Sequence, residues 1–232
     1  PVPSSLNYDM WLGSTPEVYY TEDRVHPQSG YGRPGWLRCE QFGAGMITGW
    51  GAHLFDVAHW GMDCEHTGPV EISSTAQFPT EGLWNVHGDF SSEMVYPNGV
   101  VLTAGQESEE HPSGIMFSGS EGWLFISVGG LPVTSSDPVA IRFGKTLRAS
   151  DERILTSEIS DGETRLIVSN DHHTNWLDAI RTRGRAASTA EIAHRTCTVC
   201  LLQHISMKLG RKLQWNPVTE KFVNDPEADS MV

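Results

Sequence analysis

Asn98-Gly99 sits between two runs rich in strand-forming residues, 86–96 and 100–104. That dipeptide accepts the positive φ angles of a tight hairpin turn, so the flanking runs pair antiparallel. The same texture extends from 69 to about 168. Residues 70–78 alternate in part, 114–119 and 123–128 flank a second turn at Ser120-Glu121-Gly122, and 139–143 and 165–168 offer further strands. Hairpin after hairpin with no helix between predicts a mostly antiparallel sheet.

Two helical patterns follow. The first opens at Asn170-Asp171 and runs through 172–181; the second opens at Ser188-Thr-Ala-Glu191 and stops at Gly210. Ser188 and Glu191 read as a capping box, and Gly210 as the residue that ends the helix. Residues 1–40, rich in Pro, Gly, Tyr and Trp with weak periodicity, read as an ordered strap. The prediction is a single α+β domain over 1–232. It comprises the strap, a glycine-rich loop and short helix (43–61), a large open antiparallel sheet (69–168), two helices on one face (171–209) and a surface tail (210–232). An open sheet covered on one side leaves an apolar face, so a homo-oligomer through that face is expected.

Size and composition support a packed core: 232 residues, 38% hydrophobic. The formal charge of −13 argues against a nucleic-acid partner and against an anionic membrane surface. No stretch approaches the roughly 18 apolar residues of a membrane span. Cys39, Cys64, Cys197 and Cys200 form no zinc or disulfide framework and read as buried thiols. No metal site is expected either. His53 and His59 fall on different sides of a helix, and adjacent His172 and His173 cannot share one face. Dinucleotide and phosphate glycine fingerprints, H-E-x-x-H and G-x-S-x-G are all absent.

Chemistry concentrates in 43–61. Gly43, Gly45, Gly49 and Gly51 make a loop that can approach another surface, and helical spacing then puts His53, Val57 and Trp60 on one face. Asp56 stands three residues beyond His53. An imidazole near neutrality with a carboxylate one turn on suits proton transfer; a core histidine satisfied by Asp56 fits the same spacing. In the strap, Tyr8, Asp9, Trp11, Arg33 and Trp36 have the chemistry for a polyhydroxylated ligand, or equally for anchoring a segment without regular structure.

These residues resemble a known family. The run Met46-Ile-Thr-Gly-Trp-Gly-Ala-His-Leu-Phe-Asp-Val-Ala-His-Trp60 is similar to the signature of the Gfo/Idh/MocA oxidoreductases, in the branch common in planctomycetes and environmental bacteria. Leu6–Gly13, His172–Arg181, Glu191–Arg195 and Leu209–Trp215 fit the same branch. The resemblance implies an α+β domain with an open sheet that forms the substrate site and oligomer interface, following an N-terminal Rossmann domain that binds NAD or NADP. The Rossmann glycines and the Glu-Lys-Pro segment with the family's catalytic lysine have no counterpart here. With Pro1 in place of an initiator Met, the chain is therefore expected to be the second domain alone, with no cofactor bound to it.

By the same resemblance His53 matches the active-site histidine, a proton relay to a sugar hydroxyl or carbonyl. Asp56 matches a structural carboxylate, and His173 and Asn175 fall in a family motif that anchors a helix, with His173 also a substrate-binding candidate. Many members carry Asp four residues before the histidine; Gly49 stands there in this chain and cannot relay a proton. Gly49 and Gly51 are thus structural at the site. The implied activity is NAD(P)-dependent oxidoreduction of a sugar or cyclitol by the intact protein. A stand-alone carbohydrate-binding or scaffold module, and glycoside cleavage through a keto-sugar, are the alternatives.

Overall fold

The computed structural model describes residues 1–27, 29, 34–109, 112–127 and 146–232. The expected strand at 139–143 lies outside them. In the strap, helices α1 (Tyr8–Leu12) and α2 (Glu22–Val25) precede a 3-10 turn over Gly35–Arg38. A second 3-10 turn (Gly45–Ile47) leads into α3 (Trp50–Gly61). Strands β1 (Glu71–Ala76), β2 (Phe90–Val95) and β3 (Val101–Gly105) follow, then β4 (Ile115–Gly119), β5 (Gly122–Ser127) and β6 (Thr146–Ala149). Helix α4 (Glu152–Leu155) comes before the long α5 (His172–Thr182) and α6 (Ala190–Leu209). The chain closes with β7 (Leu213–Asn216), β8 (Lys221–Phe222) and α7 (Pro226–Asp229).

Among the described residues every strand pairing is antiparallel, in a five-stranded sheet ordered β3-β2-β1-β7-β8 and a separate three-stranded sheet β4-β5-β6. The Asn98-Gly99 turn forms as expected: Gly99 takes φ +84°, and Asn98 Oδ1 accepts from the Val100 amide at 3.1 Å. Residues 86–89 stay out of β2, with the Gly88 amide bonding Gln77 O at 2.7 Å. Residues 165–168 form no strand and are irregular and exposed.

Alternation gives the large sheet two unlike faces. Ile72, Met94 and Leu213 pair across neighbouring strands and point into the core, each at most 1% exposed. Burying each such side chain contributes about 1.5–3 kcal/mol. The opposite face carries Glu71, Ser73, Thr75, Ser91, Glu93 and Thr103, with Val95 half-buried and Val101 exposed as apolar neighbours in register. That corrects the premise of an apolar open face: alternation puts hydroxyls and carboxylates there.

Helix α6 lies between β1 and α3. Packed on both sides, it buries Ile192, Val199, Cys200, Leu202 and Ile205 around much of its circumference. Its cap is Thr189, whose Oγ1 accepts from the Ile192 amide at 3.3 Å, not Ser188. Starting one residue later puts Ile192 at the third helical position, so no capping box closes. Glu191 instead accepts from Arg195 Nε at 2.8 Å. Asp171 caps α5 as read, accepting from the Thr174 amide at 2.6 Å, and this bond holds its carboxyl below the usual range. The tail is no surface appendage. β7 and β8 extend the sheet, and Trp215 (3% exposed) meets Phe222 edge to face at 4.9 Å between ring centres.

Candidate active site

Helix α3 is entered through the glycine-rich loop. Of its glycines, Gly45 makes the close approach, with φ +75° and space for a Cβ only 3.0 Å from Val86. Gly49 is the residue before α3 and lies against Met46; Gly51, in the first turn, lies against Phe55. Phe55, Ala58 and His59 form the buried face of α3. The face shared by His53, Val57 and Trp60 is therefore turned outward: His53 is exposed, Val57 and Trp60 half-buried. The Trp50 ring meets the His53 imidazole edge-on, centres 5.7 Å apart and planes at 62°.

The structure removes the core reading of His53. His53 is not a core histidine; His59 is. His59 is fully buried, and its Nε2 shares a 2.6 Å hydrogen bond with the Tyr96 hydroxyl, while its Nδ1 has no partner. Burial pushes its pKa down to about 4 and raises that of the Tyr96 hydroxyl. Asp56 is occupied structurally: its Oδ1 accepts from Thr196 Oγ1 on α6 at 3.1 Å.

Three of the strap residues gather on the Phe42-Gly43 turn that feeds α3. Tyr8 and Trp11, one helical turn apart on α1, stack at 5.5 Å with 17° between planes. Trp11 contacts Phe42 at 5.0 Å, and the Trp36 ring lies beside Gly43. Tyr20 closes the cluster edge-on to Tyr8. Asp9 is exposed in the first turn of α1. Arg33 lies outside the described residues. His173 is exposed at the start of α5, a helix that makes no extensive contact with another described element; Asn175 Oδ1 accepts from the Ala187 amide at 2.9 Å.

Two supports carried no sequence signal. Arg24, 5% exposed, lies over the Tyr19 and Phe42 rings and donates to Tyr19 O, pinning the strap from beneath. Glu40 takes His204 Nε2 at 3.3 Å and Lys208 Nζ at 3.1 Å from α6 and so fixes the strap's end; burial lowers the His204 pKa. Cys39, Cys64 and Cys200 are buried as read and Cys197 is exposed; burial pushes the Cys200 thiol up to about 12. Among the described residues no three His, Cys, Asp or Glu side chains gather as a metal site.

The antiparallel α+β frame agrees with the comparisons. The family model for the C-terminal alpha/beta domain of the oxidoreductase family matches residues 1–129 and 153–232, and the chain belongs to this family, Gfo/Idh/MocA. Among solved structures it is similar to an oxidoreductase from Desulfitobacterium hafniense described as NADPH-dependent. The two share 16% identity at TM-score 0.55, over 77% of this chain and 50% of that one. It is also similar to an NAD-binding protein from Listeria innocua (13%, TM-score 0.51, 78% and 51%). A third is an aldose-aldose oxidoreductase from Caulobacter crescentus complexed with glycerol (16%, TM-score 0.50, 77% and 50%). The chain thus spans about half the length of these structures, and at such identities the likeness shows the fold. No curated protein matches the chain.

Proposed function

We propose that this chain is the substrate-binding and oligomerisation domain of an NAD(P)-dependent oxidoreductase acting on a sugar or cyclitol, silent without a dinucleotide-binding domain. The observation that carries the reading is the outward His53 at the start of α3, in a C-terminal domain of an oxidoreductase family. The half-length correspondence with an NADPH-dependent and an NAD-binding protein supports a cofactor half elsewhere, and the aldose-aldose oxidoreductase supports a sugar.

A bound nicotinamide supplies the hydride chemistry. The residues of this chain do the rest. His53 accepts the proton of the reacting hydroxyl at an imidazole nitrogen, and its ring packs against Trp50. Tyr8, Trp11 and Trp36 offer apolar faces to the ring of the substrate, and Asp9 accepts from hydroxyls. Homo-oligomerisation belongs to the same proposal, through an open sheet face whose rows of Ser, Thr and Glu would be matched by a second copy. A monomer at micromolar concentration by light scattering counts against it.

The test is the size of the native product, by immunoblot of source cells against this domain. A band larger by about 100–200 residues supports the reading. A band at 25.6 kDa overturns it and favours a stand-alone carbohydrate-binding module. Tight, saturable dinucleotide binding by this chain would also remove the claim that it is silent alone.

A further inference from the structure

A cleft of about 860 Å³ opens at the turn end of the three-stranded sheet, between the β4–β5 hairpin and α4. It is distinct from the His53 region. Phe117, in its wall, sits against Gly61 at the far end of α3, eight residues or about 12 Å of helix from His53. The cleft is open to solvent, a shape that suits a ring laid on a surface more than one enclosed in a pocket.

Its lining combines an aromatic platform with a polar fringe. Trp123 is 37% exposed, on a strand fixed by a bond from its amide to Ser150 Oγ at 2.9 Å. Leu124 and Ile154 add apolar wall, while Ser120, Glu121 and Ser157 bring two hydroxyls and a carboxylate. Asp151 grips Arg153 along one edge of the guanidinium, Nε to Oδ1 at 3.0 Å and Nη2 to Oδ2 at 2.7 Å. Its Oδ1 also accepts from the Arg153 amide at 2.8 Å. A guanidinium engaged on one edge keeps donors on its other, and Arg153, its side chain 90% exposed, presents them at the rim of the cleft.

Charge selects the ligand class. Two carboxylates against one guanidinium, on a chain of net charge −13, repel phosphates and carboxylates. An apolar face with hydroxyls around its rim is what an indole ringed by donors and acceptors complements. We propose that this cleft binds one pyranose ring of a neutral saccharide, stacked on Trp123 and hydrogen-bonded by Glu121, Arg153 and the serine hydroxyls. It is a second saccharide site, separate from the oxidoreductase site proposed above and not dependent on it.

The test is titration of the 232-residue chain, followed by two-dimensional amide and indole NMR. The probes are methyl β-D-glucopyranoside, methyl β-D-galactopyranoside and cellotetraose. Saturable shifts are expected in 117–124 and 151–157 with at least one of them. Trp123→Ala weakens that binding about tenfold or more and Trp123→Phe by less, with signals elsewhere unmoved to show the fold intact. His53→Ala and Trp11→Ala leave it unchanged. Shifts confined to α1, Trp36 and α3 overturn the proposal while leaving the first site standing. Absence of saturable shifts up to about 50 mM of all three probes overturns it as well.

Discussion

Thr196 on α6 donates from Oγ1 to Asp56 Oδ1 on α3 at 3.1 Å, bridging 140 positions of sequence. The bond couples the helix that presents His53 to the helix that carries the core. A half-buried carboxylate that loses its donor bears much of its desolvation cost. Thr196→Val is therefore expected to lower stability by about 1–2 kcal/mol and Thr196→Ser by much less, read from urea unfolding midpoints. Equal loss in both variants would assign the effect to packing of the Thr196 methyl.

His59 makes the fold acid-sensitive. In the folded chain its pKa is pushed down to about 4 by burial, against roughly 6.5 when unfolded. Between those values the unfolded chain binds the extra proton, so stability falls as pH drops through this window. The loss approaches about 3 kcal/mol once the pH is below both values. His204, also lowered by burial, adds to the effect in the same direction. His59→Gln should flatten part of the fall between about pH 7 and about pH 4.5 in denaturant midpoints. An unchanged pH slope would show that His59 titrates alike in the folded and the unfolded chain.

Trp215 tests whether the C-terminal strands belong to the core. It is 3% exposed and packs on Phe222, which is 4% exposed. Trp215→Ala is expected to cost about 3–5 kcal/mol and to collapse the near-ultraviolet circular dichroism before far-ultraviolet signals change. A loss under about 1 kcal/mol would return this segment to the surface.

Which of these relationships were legible depended on their range. Helical spacing alone grouped His53, Val57 and Trp60, and the complementary face of Phe55, Ala58 and His59 follows from the same period. Nothing local could name Thr196 as the partner of Asp56, or Glu40 as the acceptor for His204 and Lys208. Trp215 had a signal, alternation of Leu213-Gln-Trp-Asn216 just past the helix-ending Gly210, but four residues are too few to separate a strand from a loop. Ser188 and Thr189 are adjacent hydroxyls of nearly equal capping strength, so local sequence could not single out Thr189 as the cap. The hairpins were readable; their division into two sheets was not, because it depends on which edge each finds in three dimensions.

His53 separates function from folding. It is exposed, touching Trp50 edge to face, so His53→Ala should shift stability by no more than about 0.5 kcal/mol. Under the proposed function, the same change in a full-length protein would remove the proton acceptor and is expected to lower kcat by about 10²–10⁴-fold. The measurement is sugar-dependent reduction of NAD or NADP by the full-length protein, alongside the unfolding curve of each variant. Trp50→Phe, which keeps an aromatic edge against the imidazole, should retain most of the activity, and Trp50→Ala should lower kcat more than it raises KM. Activity unchanged in His53→Ala would move the proton acceptor off α3 and sink the assignment.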